Sequence, residues 1–211
     1  MRMNTENLTY EQSDSFRELG NIGAAHAATT LSTILSTSVG IEIPDITFVN
    51  LANLHEHLDT GVVAHVIFQI QGDVHTGGYV ILHIPKESAV RLTNLMVGAG
   101  DPGPNRELTE MDYSAIDEVG NIMISAFLDA CAELLDLILL PSPPTSVFDI
   151  PHAVMESILV TLPGIEDIDE VVLFKTTLSC SDHHIASNIM LLPSRETLSM
   201  LLGRLDKLTS G

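Results

Sequence analysis

Glu18 and Asn21 stand three residues apart in the segment Asp14-Ser-Phe-Arg-Glu18-Leu-Gly-Asn21-Ile22. One hundred residues later the same spacing returns as Ser114-Ala-Ile-Asp-Glu118-Val-Gly-Asn121-Ile122. An amide offers an acceptor oxygen and two donor hydrogens, so asparagine can hold a water molecule in a fixed direction without changing its own protonation state. A glutamate one helical step away carries the charge that grips a cation. On a helix, positions i, i+4 and i+7 fall within about 60° of one another. Asp14, Glu18 and Asn21 then form one polar stripe, and Ser114, Glu118 and Asn121 form another.

Such stripes need a rigid apolar anchor behind them. Phe16, Leu19, Gly23, Ala27, Thr30 and Ile34 cluster on the far side of the first segment. Ile116, Val119, Met123, Phe127, Ala130 and Leu134 take the same offsets in the second. Helical periodicity therefore predicts two core helices, about Glu11 to Ser36 and Thr109 to Leu139, presenting their polar stripes outward. Beyond each Asn the stripe continues through small or short residues, Ala25, Thr29 and Ser32 in one case and Ser125, Asp129 and Ala132 in the other. A second protein can approach such a surface closely.

The order of elements repeats as well as the signature. After the first helix come β-rich runs near Ile41–Leu51, Gly61–Gln71 and Gly78–Ile84, with a hairpin-like turn over Gly72 to Gly78 and a helix opening at Pro85. After the second come a run near Ser146–Ile150, strands near Glu170–Ser179 and Ile185–Leu192, and a helix opening at Pro193. Both prolines are expected in the first helical turn. A short amphipathic helix from Pro151 to Leu162, with Ala153, Val154, Ile158 and Leu159 as apolar contacts, breaks the symmetry and suggests a separate partner. The linker is Gly98 to Asn105. These features predict one α+β domain over 1–211. It is internally duplicated into repeats of about 1–104 and 105–211 and pseudo-two-fold, with a mainly antiparallel sheet and two long helices on one face.

Composition narrows the function. The 211 residues are 45% hydrophobic, enough for a core, and carry 9 Lys and Arg against 28 Asp and Glu, a formal net charge of −19. That charge repels phosphate backbones and anionic lipid alike, which argues against nucleic acid and membrane surfaces as partners. With lysine only at positions 86, 175 and 207, the surface suits a halophilic host, and a melting series from low to molar KCl tests this, unchanged stability refuting it. Two distant cysteines make no disulfide framework, the N-terminus has no apolar signal core, and Ile122–Leu140 is interrupted by acids. A cytoplasmic protein is expected, and the internal duplication makes a monomer the default.

Other constellations are weaker. Leu54-His55-Glu-His57 and His183-His184 lack a third ligand at convincing spacing, so no metal site is expected. Asp149, an acid in a strand-like run, is a candidate partner contact as well as a candidate strand-end or capping residue. There is no P-loop. By chance an Asp/Ser-x-x-x-Glu-x-x-Asn string turns up in roughly one in twenty chains of this size, so the weight lies on its recurrence.

The paired signature, embedded in Glu-Leu-Gly-Asn-Ile-Gly-Ala and in Glu-Val-Gly-Asn-Ile-Met, resembles the CheC/CheX/FliY phosphatases of chemotaxis along the whole chain, and by length the CheC type. The resemblance implies hydrolysis of the aspartyl phosphate of the response regulator CheY. Glu18 and Glu118 match the acid that pairs with the regulator's lysine, Asn21 and Asn121 match the amide that orients the attacking water, and Asp14 and Ser114 match a supporting position. No cofactor of its own is implied, Mg²⁺ being carried by the regulator. The resemblance also implies binding of the receptor deamidase CheD, and a weakly catalytic or non-catalytic CheD adaptor is the alternative reading. The chain departs from the family pattern after Ala24, where Ala25-His26 replaces the common Gly-Asn, and the first site is expected to be the weaker one.

Overall fold

In the computed structural model, which describes residues 10–58, 61–74, 77–97, 106–161, 163–180 and 183–209, the chain runs α1 (Tyr10–Leu35), β1 (Val39–Asn50), β2 (Val63–Gly72), β3 (Gly78–Pro85), α2 (Lys86–Val97), α3 (Glu110–Leu135), β4 (Leu139–Pro141), β5 (Thr145–Asp149), α4 (Pro151–Thr161), β6 (Glu170–Cys180), β7 (His183–Pro193) and α5 (Arg195–Thr209). Two 3₁₀ segments, Leu51–His57 and Ile165–Asp167, complete it. The linker proposed over 98–105 lies outside the described residues, as does Leu162.

α1 and α3 are both 26 residues long. Each stops just before a residue with left-handed backbone, Ser36 at φ 51° and Asp136 at φ 53°. Such a conformation cannot continue a right-handed helix, and Asp tolerates it better than most residues. The second helix is accordingly shorter than its periodicity predicts. Leu139 to Pro141 leave it to form β4, which pairs with β2. At the other end, Thr109 and Asp112 close a capping box, with the Thr109 N–H donating to Asp112 Oδ2 at 2.7 Å.

The strands form a seven-stranded antiparallel sheet in the order β1-β6-β7-β3-β2-β4, with β5 also on β2. Strands from the two halves of the chain interleave: β1 of the first lies on β6 of the second, and β4 and β5 of the second lie on β2 of the first. Neither half completes a sheet without the other. Pro85 and Pro193 each end a strand, paired with Val63 and Gly78, instead of opening a helix. A strand end tolerates the missing N–H as readily as a first helical turn does.

One core lies between the sheet and α1, α2, α3 and α5. In α1 the buried row runs through Phe16, Leu19, Ala24, Ala27 and Leu31. The expected anchors Thr30 and Ile34 are exposed, because the step from Ala27 to Leu31 carries the row to the other side of them. All six anchors expected on α3 are buried or partly buried. A second core covers the opposite sheet face with the 3₁₀ segment Leu51–His57 and α4, whose Val154, Met155 and Ile158 are buried in it. Val154 and Ile158, which the sequence offers to a separate partner, are thus consumed by the protein's own core; Ala153 is partly buried, and the Leu159 side chain lies outside what the structure describes. Between β2 and β3, His65 and His83 are fully buried with His83 Nδ1 3.1 Å from His65 Nε2. Burial, and then the neighbouring His83, lowers the His65 pKa to about 3, so His65 is neutral.

Candidate active site

Glycines set the height of both signature helices above the sheet. A Cβ on Gly20 would lie 2.9 Å from Phe174 Cδ1 and 3.0 Å from Ile43 Cδ1, and one on Gly120 would lie 3.0 Å from Val66 Cγ1. The backbones of α1 and α3 therefore rest directly on β6 with β1, and on β2. At the helix crossing, Gly23 meets Phe127, whose Cδ2 would be 2.4 Å from an added Cβ. With one side pressed down in this way, the residues on the opposite side face out: Asp14, Glu18 and Asn21 on α1, and Ser114, Glu118 and Asn121 on α3, are all exposed. The helical reading of both stripes is correct.

The first turn of α3 is held by a charged clamp. Arg106 donates through Nη1 and Nη2 to the two carboxylate oxygens of Asp112, each at 2.6 Å, and through Nη2 to Asn94 Oδ1 at 2.9 Å and Thr93 Oγ1 at 3.2 Å. Thr93 and Asn94 belong to α2, so the clamp ties α2 to the start of α3 two residues before Ser114. The Arg106 hydrogen bonds, helped by those from Thr109, hold the Asp112 carboxyl well below the usual carboxylate range despite its burial.

On α3 the polar stripe lines an open groove of about 550 Å³, whose floor is Ser114, Asp117, Glu118 and Asn121 and whose wall is Pro141, Ser142, Pro143 and Pro144. Asp117 and this wall are absent from the sequence reading. The Pro-Ser-Pro-Pro string is visible in the sequence, but nothing local ties it to a helix twenty residues upstream. Ser142 pins the wall to β2, its N–H donating to Gln69 O and its Oγ accepting from Gln69 N–H, both at 2.9 Å. The Ser114 hydroxyl donates to the Glu110 carbonyl at 3.1 Å, and Asp14 pairs with Arg17 at 3.7 Å. Asp149 is exposed at the end of β5 and accepts from the N–H of Ile150 at 2.7 Å, well away from either stripe in sequence.

No group of three or more His, Cys, Asp or Glu able to hold a metal occurs among the described residues. The sequence reading expects no G-x-G-x-x-G string, but Gly98, Gly100 and Gly103 spell one. It follows helix α2 where a dinucleotide fingerprint follows a strand, and it lies outside the described residues. No described helix is long and apolar enough to cross a membrane.

Comparison with known proteins places these helices. The model of the CheC-like family matches residues 12–47 and 111–148, that is, α1 with most of β1 and α3 with β4 and most of β5. The chain is similar to the CheY-P phosphatase CheC of Bacillus subtilis (strain 168), with 28% identity over 200 residues, covering 90% of this chain and 92% of that protein. It is also similar to the flagellar motor switch phosphatase FliY of the same organism, with 26% identity over 139 residues, 66% of this chain but only 36% of that one. Among solved structures, FliY of Thermotoga maritima shares the fold with a TM-score of 0.79 at 22% identity, over 95% of this chain and 98% of the other.

Proposed function

Because the CheC-like family model matches both signature helices and the chain is similar to a CheY-P phosphatase CheC over 90% of its length, we propose that it removes the phosphoryl group from the aspartyl phosphate of a CheY-type response regulator. The observation that carries this reading is the outward placement of one Glu–Asn pair on each of two sheet-backed helices, the pair on α3 lying in an open groove. An acyl phosphate already has a good leaving group, and Mg²⁺ carried by the regulator neutralises its charge. What remains is positioning. Asn21 or Asn121 holds a water in line with phosphorus, while Glu18 or Glu118, one helical step earlier, pairs with a lysine of the regulator. Water attacks phosphorus, the bond to the aspartate oxygen breaks, and carboxylate and inorganic phosphate leave. Exposed stripes fit this task, since the reacting centre arrives on a second protein and is enclosed only when the two surfaces meet. The site needs neither a nucleophile nor a metal of its own.

The test is the decay of phosphorylated regulator with Mg²⁺ after addition of wild type or of the Asn21→Ala/Asn121→Ala protein. Acceleration by wild type that the double variant loses is the expected result, by about 100-fold or more if water positioning is the main contribution. No acceleration by folded wild type refutes the reading, and the CheD-adaptor alternative then becomes the one to test by direct binding.

A further inference from the structure

The two stripes are alike at their Glu and Asn but not in what stands beside them. On α3, Tyr113, Asp117 and Asn121 succeed one another at four-residue steps and form one row along the helix. The row faces β5 and the wall that precedes it. Tyr113 packs on Phe148, ring centroids 4.2 Å apart, and Asp117 Oδ1 accepts a hydrogen bond from the Ser146 hydroxyl. Residues 148 and 146 share one side of β5 at its two-residue period, and Pro144, just before the strand, lines the groove together with Asn121. Ser142 anchors the wall to β2 at its far end, and Pro143-Pro144 stiffens the span between. On α1 the counterpart of Asp117 is Arg17, which turns back to Asp14 of its own helix. It puts a cation next to Glu18, where a lysine of the partner would have to be received.

Building on the proposed phosphatase reading, we propose that Asp117 is a positioning residue of the α3 site. Its hydrogen bond to Ser146 fixes the Pro141–Pro144 wall beside Asn121, and the α3 site therefore carries most of the turnover. The wall and the Asn side chain together define where water and the incoming phosphoryl group sit, and a wall free to swing would leave the amide correctly placed on the helix with nothing opposite it.

The experiment uses the full chain with Asn21→Ala, which confines the reaction to α3. In that background Asp117→Ala lowers kcat/KM by about tenfold, as for the loss of a positioning contact. Asp117→Asn restores it, because an amide oxygen still accepts from Ser146. Ser146→Ala matches Asp117→Ala, and the two together lose no more than either alone. Melting temperatures measured alongside separate this from a loss of fold, and Ser146→Ala keeps the test open if Asp117→Ala does not fold. Full activity of folded Asp117→Ala or Ser146→Ala overturns the proposal. So does an Asp117→Asn protein as weak as the alanine variant, since that would assign the effect to charge instead of the hydrogen bond. An active wild type whose activity survives Asn121→Ala but not Asn21→Ala also overturns it and leaves the phosphatase reading standing. An inactive wild type removes both.

Discussion

Gly23 is the residue at which helix spacing can be tested with a single methyl group. An alanine Cβ there would lie 2.4, 3.0 and 3.2 Å from Cδ2, Cε2 and Cγ of Phe127, so ring or helix must yield by about 1 Å to reach ordinary carbon–carbon contact. The ring has little freedom, being fully buried and packed edge-on to Phe174 with centroids 5.4 Å apart. Some relief is available from a small apolar void of about 20 Å³ that Phe127 lines with Leu19, Leu128 and Cys131. Overpacking of this kind costs about 1–3 kcal/mol. Alanine is favoured over glycine within a helix by about 1 kcal/mol, so Gly23→Ala should destabilise by about 1 kcal/mol net. Gly203 in α5 is the matched control, because an added Cβ there meets nothing within 4 Å. Gly203→Ala should stabilise by about 1 kcal/mol, so the two substitutions should differ by about 2 kcal/mol in urea unfolding at fixed salt. Adding Phe127→Leu to Gly23→Ala should recover part of the loss, giving a non-additive pair. If Gly23→Ala and Gly203→Ala shift stability in the same direction by the same amount, the close helix crossing is refuted.

Two further outcomes follow from buried polar groups. The folded-state pKa of His65, about 3, lies below its unfolded value, so its contribution is complete above about pH 6.5 and is lost as pH falls toward 3. Unfolding free energy should therefore fall by about 2 kcal/mol between pH 7 and pH 5, at about 1.4 kcal/mol per unit below 6.5. His65→Leu should flatten this slope, and an unchanged slope in the variant would remove His65 as its source. Arg106→Ala leaves the Asp112 carboxylate buried without its main donors and should cost about 2 kcal/mol in thermal or urea unfolding. Adding Asp112→Asn should return part of that, and an unaltered melting temperature in Arg106→Ala would show that the clamp does not hold the start of α3.

Local physics accounts for what the sequence by itself determined. The 3.6-residue periodicity behind Glu18–Asn21 and Glu118–Asn121 depends only on residues within one helix, so the outward stripes, the inward anchors from Phe16 to Ala27 and from Ile116 to Ala130, and the order of helices and strands apart from β4 were legible. The outcome at Thr30 and Ile34 was decided by which flank of α1 the sheet meets, and the end of α3 by the left-handed turn at Asp136 and by the β4 pairing with β2. Contacts between elements far apart in the chain were illegible for the same reason. The interleaving of the two halves in the sheet, the burial of α4 in a second core, the resting of Gly20 on Phe174, and the meeting of Asp117 with Ser146 each join segments whose separation in sequence says nothing about their distance in space. The residues of the Glu–Asn pairs are thus written in the chain, whereas the groove wall beside one of them exists only because β2 brings β4 and β5 alongside α3.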